Sequence, residues 1–249
     1  MLTVGSLFSG IGGFDLGLER AGMRIEWQVE IDPWCQAFLM AERPSIPVYG
    51  DIKQIDWETV RPVDLVCGGF PCQPVSVAGK RLAQDDPRWL WPEFLRCLRI
   101  LRPRYALIEN VPGLFTAGFT DVLSGLASCG YDAEWDCLSA GACGAHFRRD
   151  RVFIIAGCPF ASGVRWEGIR TYQNRTWSEQ QFARLVEYEL SVCVPAGKDQ
   201  RVSDGLPNRI HRLRAIGNSV VPQVAEVLGR MISELDAQGR EYDGERYTT

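Results

Sequence analysis

Up to Cys158, short apolar runs alternate with amphipathic stretches. Leu2–Phe8, Arg24–Glu30, Val63–Cys67, Tyr105–Ile108, Tyr131–Leu138 and Val152–Ala156 read as strands. Several are apolar on both faces, as buried parallel strands are. Between them, helical periodicity covers about Phe14–Ala21, Pro33–Ala41, Trp91–Leu101 and Phe119–Cys129. This alternation predicts an α/β fold built on a doubly wound, mostly parallel sheet, with its ligand along the edge where the strands end. After Cys158 the alternation stops. Residues 159–205, rich in Arg, Gly, Trp and Gln, read as a small irregular insert with one helix near Ser178–Leu190. A last amphipathic helix is expected from Val220 to about Leu235, with Asn218-Ser219 as its cap and Pro222 in its first turn. The expected organisation is a main domain of 1–158 plus 206–236, the insert at 159–205, and a polar tail at 237–249.

Composition narrows the class. With 249 residues, 46% apolar and 23% charged, the chain can bury one large core. No apolar run reaches the roughly 20 residues of a membrane span. The N-terminus carries no basic region or cleavage pattern, so an intracellular protein is expected. Nine cysteines, an odd number with no Cys-x-x-Cys pair, predict neither a disulfide framework nor a zinc site. Most lie in apolar stretches and read as buried, reduced thiols; Cys72 does not. A net charge of −4 argues mildly against a nucleic-acid partner. Arginines at 148, 149 and 151, and again at 201, 209, 212 and 214, nevertheless allow a locally basic cleft.

Two motifs suggest a site. Phe8-Ser9-Gly10-Ile11-Gly12-Gly13-Phe14 follows one strand and opens a helix, where Gly10, Gly12 and Gly13 let backbone turn sharply against a ligand. Glu30 ends the next strand, where a carboxylate can accept both hydroxyls of a ribose. Dehydrogenases share both features, so a nicotinamide enzyme stays open at this point. Asp51, after Gly50, could take an adenine amino group or be a plain turn residue. The second motif is Cys67-Gly68-Gly69-Phe70-Pro71-Cys72-Gln73-Pro74, a glycine- and proline-shaped loop leaving an apolar strand. Glu109-Asn110-Val111 ends the following strand. A thiol and a carboxylate at neighbouring strand ends can bracket one small planar substrate.

Taken in order, Phe-x-Gly-x-Gly-Gly at 8–13, Glu30, Asp51, Gly-Phe-Pro-Cys-Gln at 69–73, Glu-Asn-Val at 109–111, Arg-x-Arg at 149–151 and Gly-Asn-Ser-Val-Val at 217–221 resemble the DNA cytosine-5 methyltransferase family. The resemblance covers residues 2 to about 232. It implies a class I S-adenosylmethionine-dependent, Rossmann-like fold and methylation of carbon 5 of cytosine in double-stranded DNA. S-adenosylmethionine would be the cofactor, with no metal. It implies a catalytic set of Cys72 as nucleophile, Glu109 as acid at ring nitrogen 3, Arg151 at the cytosine carbonyl and Arg149 orienting the cysteine loop. Phe8 would lie against adenine, Glu30 hold the ribose, Asp51 and Ile52 meet the adenine edge, Pro71 line the site and Asn218 complete its methionine end. Gln73 to about Arg88 would form a lid over a flipped base, with Gln73, Ser76 and Arg88 against DNA. A cytoplasmic, monomeric enzyme of a bacterium or phage is the implied setting.

Two departures stand out. Phe147 occupies the place of the family's glutamine ahead of Arg149 and Arg151. The target-reading region is short, with Arg165, Trp166, Arg170, Arg175, Trp177 and Arg184 as its reading material, of which Arg165 and Arg170 are the expected DNA contacts. A short insert predicts a short or relaxed target. The tRNA methyltransferases of the same fold are the nearest rival, but the Cys-Phe-Thr of that branch does not occur here. A binding protein that keeps the pocket without turnover is the rival from another class.

Overall fold

The computed structural model describes residues 1–71, 89–145, 147, 149–157 and 215–246, with side chains up to residue 237. The expected helix at Ser178–Leu190 and candidate residues Cys72, Gln73, Ser76, Arg88, Arg165 and Arg170 lie outside them.

Seven strands form one sheet in the order β3-β2-β1-β4-β5-β7-β6. They are β1 (Thr3–Leu7), β2 (Arg24–Val29), β3 (Val48–Tyr49), β4 (Leu65–Gly68), β5 (Tyr105–Asn110), β6 (Asp132–Ser139) and β7 (Asp150–Gly157). β1 to β5 run parallel, whereas β7 is antiparallel to both β5 and β6. The helices are α1 (Gly13–Arg20), α2 (Pro33–Glu42), α3 (Trp91–Leu101), α4 (Phe119–Ser128) and α5 (Pro222–Arg246).

Alternating side chains of the strands feed two cores, one on each face. Val66, Ala106, Ile108, Val152 and Ile154 face α3 and α4, packing on Trp91, Phe94, Leu98, Val122 and Leu126. Leu65, Cys67, Leu107, Phe153 and Ile155 face α1 and α5, packing on Phe14, Leu18, Val224, Ala225, Leu228 and Ile232. Strict alternation breaks in β2. Val4 pairs with Ile25 but Gly5 pairs with Trp27, so Glu26 is an extra residue. One extra residue moves every later side chain to the opposite face. Ile25 therefore belongs to the α1–α5 core, and Trp27 and Val29 to the other.

The last helix differs from expectation at both ends. A helical turn at 215–218 precedes it, so Asn218-Ser219 ends that turn and is not the cap of α5. Val221 stands at the head of α5, its carbonyl accepting from the amides of Val224 and Ala225. The helix runs on to Arg246. Among the described residues no helix is long and apolar enough to cross a membrane.

Candidate active site

From β1 the chain winds to β2 and β3 on one side and to β4 and β5 on the other, so the strand order reverses between β1 and β4. Adjacent crossovers then leave in opposite directions, and a crevice opens at the carboxyl ends of the strands. Those sequence-predicted residues that the structure describes collect along this edge.

On the β1–β2 side, Phe8 leaves β1 with φ of 53°, unusual for a residue with a side chain, and Gly10 and Gly12 follow at 58° and 82°. Three left-handed residues in so short a turn bring the chain directly into α1. Nothing lies within 4 Å of a Cβ placed on Gly10, so the turn faces open space. Glu30 bridges the turn to the next loop. One carboxylate oxygen accepts the Gly10 amide at 2.7 Å and the other accepts the Asp32 amide at 2.8 Å. Both bonds orient the carboxylate while leaving it further acceptor capacity. The Glu30 amide donates to the Tyr49 carbonyl, which sets the end of β3 alongside. Asp51 sits just beyond, accepting the Lys53 amide at 3.0 Å, whereas the Ile52 side chain is buried in the core.

A cluster absent from the sequence expectations underlies this turn. Asp15, fully buried on α1, accepts from Ser6 Oγ at 3.2 Å and Gln28 Nε2 at 2.9 Å. Burial holds its carboxyl above the ordinary value, against the pull of Arg43 and the Gln28 hydrogen bond. Ser9 Oγ donates toward the Ser6 carbonyl at 3.0 Å. Side chains of β1, β2 and α1 are thereby tied together directly beneath the glycines. The bulge at Glu26 makes this possible, because it brings Gln28 level with Ser6.

On the β4–β5 side, Gly69 and Phe70 leave β4 toward exposed Pro71. Asn110 Nδ2 donates to the Phe70 carbonyl at 3.2 Å, fastening the root of the cysteine loop to the end of β5. Glu109 is 8% exposed, and Arg151 Nε approaches its Oε1 at 3.0 Å. Burial raises the Glu109 pKa, while Arg151 and Arg149 pull it down. The carboxyl thus titrates nearer neutrality than a solvated glutamate. A Cβ on Gly69 would stand 2.5 Å from Glu109 Oε2, so the glycine leaves room for the acid. Arg149 lies close enough to Arg151 that burial and like charge lower its pKa, with Glu109 opposing. Its guanidinium donates to the Gly217 carbonyl at 2.9 Å. Glu109, Arg149, Arg151, Leu138, Ala140, Phe153, Val220, Val221 and Val224 line one small recess.

The direction of β7 explains how the arginines reach Glu109. Because β7 is antiparallel to β5, with Asn110 opposite Val152, its first residues lie at the carboxyl end of β5. Of the other thiols, Cys35, Cys67, Cys97, Cys129 and Cys143 are buried, as expected, and Cys137 is exposed. Burial pushes the Cys67 thiol well above its ordinary range, so it stays protonated although it precedes the loop closely. Phe147 is 43% exposed and contributes no polar group.

The sheet order and the reversed β7 define the class I methyltransferase fold. The Entamoeba histolytica methyltransferase EhMeth superposes with a TM-score of 0.65 at 16% identity, over 96% of this chain and 98% of that one. The profile of the C-5 cytosine-specific DNA methylase family matches residues 2–188, and the chain belongs to that family. It is 34% identical over 185 residues to the type II methyltransferase M.NgoMIV of Neisseria gonorrhoeae, a match covering 72% of this chain and 59% of that protein. It is 38% identical over 172 residues to M.AquIA of a Picosynechococcus strain, covering 60% of this chain and 69% of that protein. The chain thus spans well under two thirds of M.NgoMIV.

Proposed function

We propose that this chain transfers a methyl group from S-adenosylmethionine to carbon 5 of cytosine in double-stranded DNA, with Cys72 as nucleophile and Glu109 as acid. The observation that carries the reading is the pairing of buried Glu109 with half-buried Arg151, in a recess at the strand end beside the root of the Cys72 loop. Family membership and bacterial type II relatives favour DNA as the substrate and a bacterial or phage cytoplasm as the setting.

Carbon 5 of cytosine is a poor nucleophile until the ring is activated. Addition of the Cys72 thiolate to carbon 6 forms a sulfur–carbon bond and drives an electron pair onto nitrogen 3. Glu109 supplies the proton that this nitrogen takes up, and Arg151 at the ring carbonyl spreads the remaining charge. Carbon 5 is then the nucleophilic end of an enamine. Afterwards nitrogen 3 returns its proton to Glu109, carbon 5 gives up its proton to a base, and the pair left behind expels the cysteine sulfur. The raised pKa of Glu109 suits both halves, since one group must give and then retake a proton. Extrusion of the base costs about a few kcal/mol of stacking and pairing. Gln73, Ser76 and Arg88 are the proposed lid contacts, and Arg165 and Arg170 the proposed readers of the target.

The turn residues fit the cofactor. Glu30 is an oriented acceptor, the glycines leave open space, and Asp51 stands at the adjoining strand end. Phe8, Gly10, Gly12, Gly13, Glu30, Asp51, Ile52, Pro71 and Asn218 would hold S-adenosylmethionine, which supplies an electrophilic sulfonium methyl. The test is transfer of labelled methyl to DNA and to tRNA, with bisulfite sequencing of the DNA. Cys72→Ser is expected to abolish transfer and leave cofactor binding intact; methylation at wild-type rates in that variant would reject the nucleophile, and transfer to tRNA alone would reject the substrate.

A further inference from the structure

The backbone from Gly217 to Val221 has two occupied faces. Toward the cofactor turn it is pressed against α1. A Cβ on Gly13 would fall 2.1 Å from the Val220 carbonyl oxygen and 2.3 Å from Ser219 Oγ. Ala215 and Ile216, just before it, pack on Ile11 of the turn and on Cys35, Trp34 and Phe38 of α2. Toward the other side, Val220 and Val221 line the recess that holds Glu109 and Arg151. One stretch of chain is therefore the common wall of two sites.

Arg149 is the side chain that grips this wall from the recess side. Among the described residues its guanidinium has one hydrogen bond, to the Gly217 carbonyl at 2.9 Å, and that carbonyl ends the 215–218 helical turn. Terminal carbonyls of a helical turn lack intrahelical partners, so a cation is a favourable one. Burial and the neighbouring Arg151 disfavour the charge on Arg149, and Glu109 opposes them.

We infer that Arg149 is a positioning residue that acts through the Gly217 carbonyl, fixing the shared wall so that the cofactor turn and the acid–guanidinium recess assemble as one unit. This rests on the proposed function, and it assigns Arg149 a task beyond the cysteine loop. Cofactor affinity then depends on a side chain that stands on the opposite side of the wall. Rigid coupling of this sort is mutual: whatever orders the wall from one side prepares the other.

The test is the affinity of S-adenosylhomocysteine for the whole chain, measured by calorimetry without DNA, beside kcat and the KM values for cofactor and DNA. Arg149→Met is expected to weaken S-adenosylhomocysteine by about tenfold, the size of one lost charge-assisted hydrogen bond. Arg149→Lys, which keeps a donor and the charge, is expected to recover most of that affinity. Glu109→Gln, which leaves the clasp intact, is expected to stay within about twofold of wild type. Should Arg149→Met fail to fold, Arg149→Gln, which loses the charge and shortens the side chain, takes its place, and the inference requires it to bind S-adenosylhomocysteine less tightly than both Arg149→Lys and Glu109→Gln. Wild-type affinity in Arg149→Met, even with a collapsed kcat, would confine Arg149 to the base recess and overturn the inference while leaving the methyltransferase reading standing. A wild-type chain that binds no S-adenosylhomocysteine overturns both.

Discussion

At the scale of single residues, Glu109 concentrates the chemistry. Its carboxyl is buried and faces Arg151 at 3.0 Å, and desolvation outweighs the guanidinium in setting its pKa. Its folded-state pKa is raised, so the protonated form is the one that folding favours. That contribution is complete below the ordinary glutamate range and is lost as pH rises through the raised value. The acid needed for nitrogen 3 disappears over the same range. The kcat profile is therefore expected to fall on its alkaline side with a pKa above 4.5, opposed at lower pH by the need for a Cys72 thiolate. Glu109→Gln is expected to reduce kcat at least about a hundredfold, the low end for a lost general acid, and to erase the Glu109 limb. Both are read from steady-state rates across pH, and an unchanged limb in the variant would assign the proton to another group. Gly69, Asn110 and Arg149 show how few contacts hold this arrangement: room for the acid, a tie to the loop root and a grip on Gly217.

At the scale of elements, the decisive contact is between α1 and α5. Gly13, Gly17 and Ala21 repeat a small residue every fourth position on α1 and its end, and Ala225 and Gly229 answer from α5. A Cβ on Gly17 would stand 2.4 Å from the Pro222 carbonyl oxygen and 2.5 Å from Ala225 Cβ. Backbone cannot move aside as a flexible side chain can. Gly17→Ala is thus expected to destabilise by about 1–3 kcal/mol through overpacking, despite the better helix propensity of alanine, as measured by urea denaturation. A gain in stability would show that the helices separate at no cost. Gly13 belongs to the same seam, so one glycine of the turn serves both the turn and the wall behind it. From the sequence Gly13 reads only as part of a ligand turn, because its partner lies some two hundred residues away.

At the scale of the whole molecule, α5 closes the fold on one face of the sheet. Val224, Ala225, Leu228, Met231 and Ile232 are all buried in the core that also holds β1, β4, β5 and β7 side chains. Each large apolar side chain contributes about 1.5–3 kcal/mol on burial, and several together rival the 5–15 kcal/mol that separates folded from unfolded domains. A chain ending at Val221 is therefore expected to lose its cooperative thermal transition, as followed by circular dichroism. The same closure carries Gly217–Val221 back to a turn that begins at Phe8. A motif near the end of the chain and one at its start become neighbours only because α5 lies along α1.

The sequence by itself determined the α/β alternation, the glycine turn, and the strand ends carrying Glu30, Asp51 and Glu109. Each of these is local: side-chain periodicity, backbone permissiveness and turn chemistry act over a few residues. Tertiary structure alone decided the direction of β7, the bulge at Glu26 that gathers Ser6, Gln28 and Asp15, and the grip of Arg149 on Gly217. A buried strand shows the same apolar pattern whichever way it runs, and an extra residue in β2 is visible only against β1. Which partner a guanidinium meets depends on distant backbone arriving beside it, and no local pattern records that.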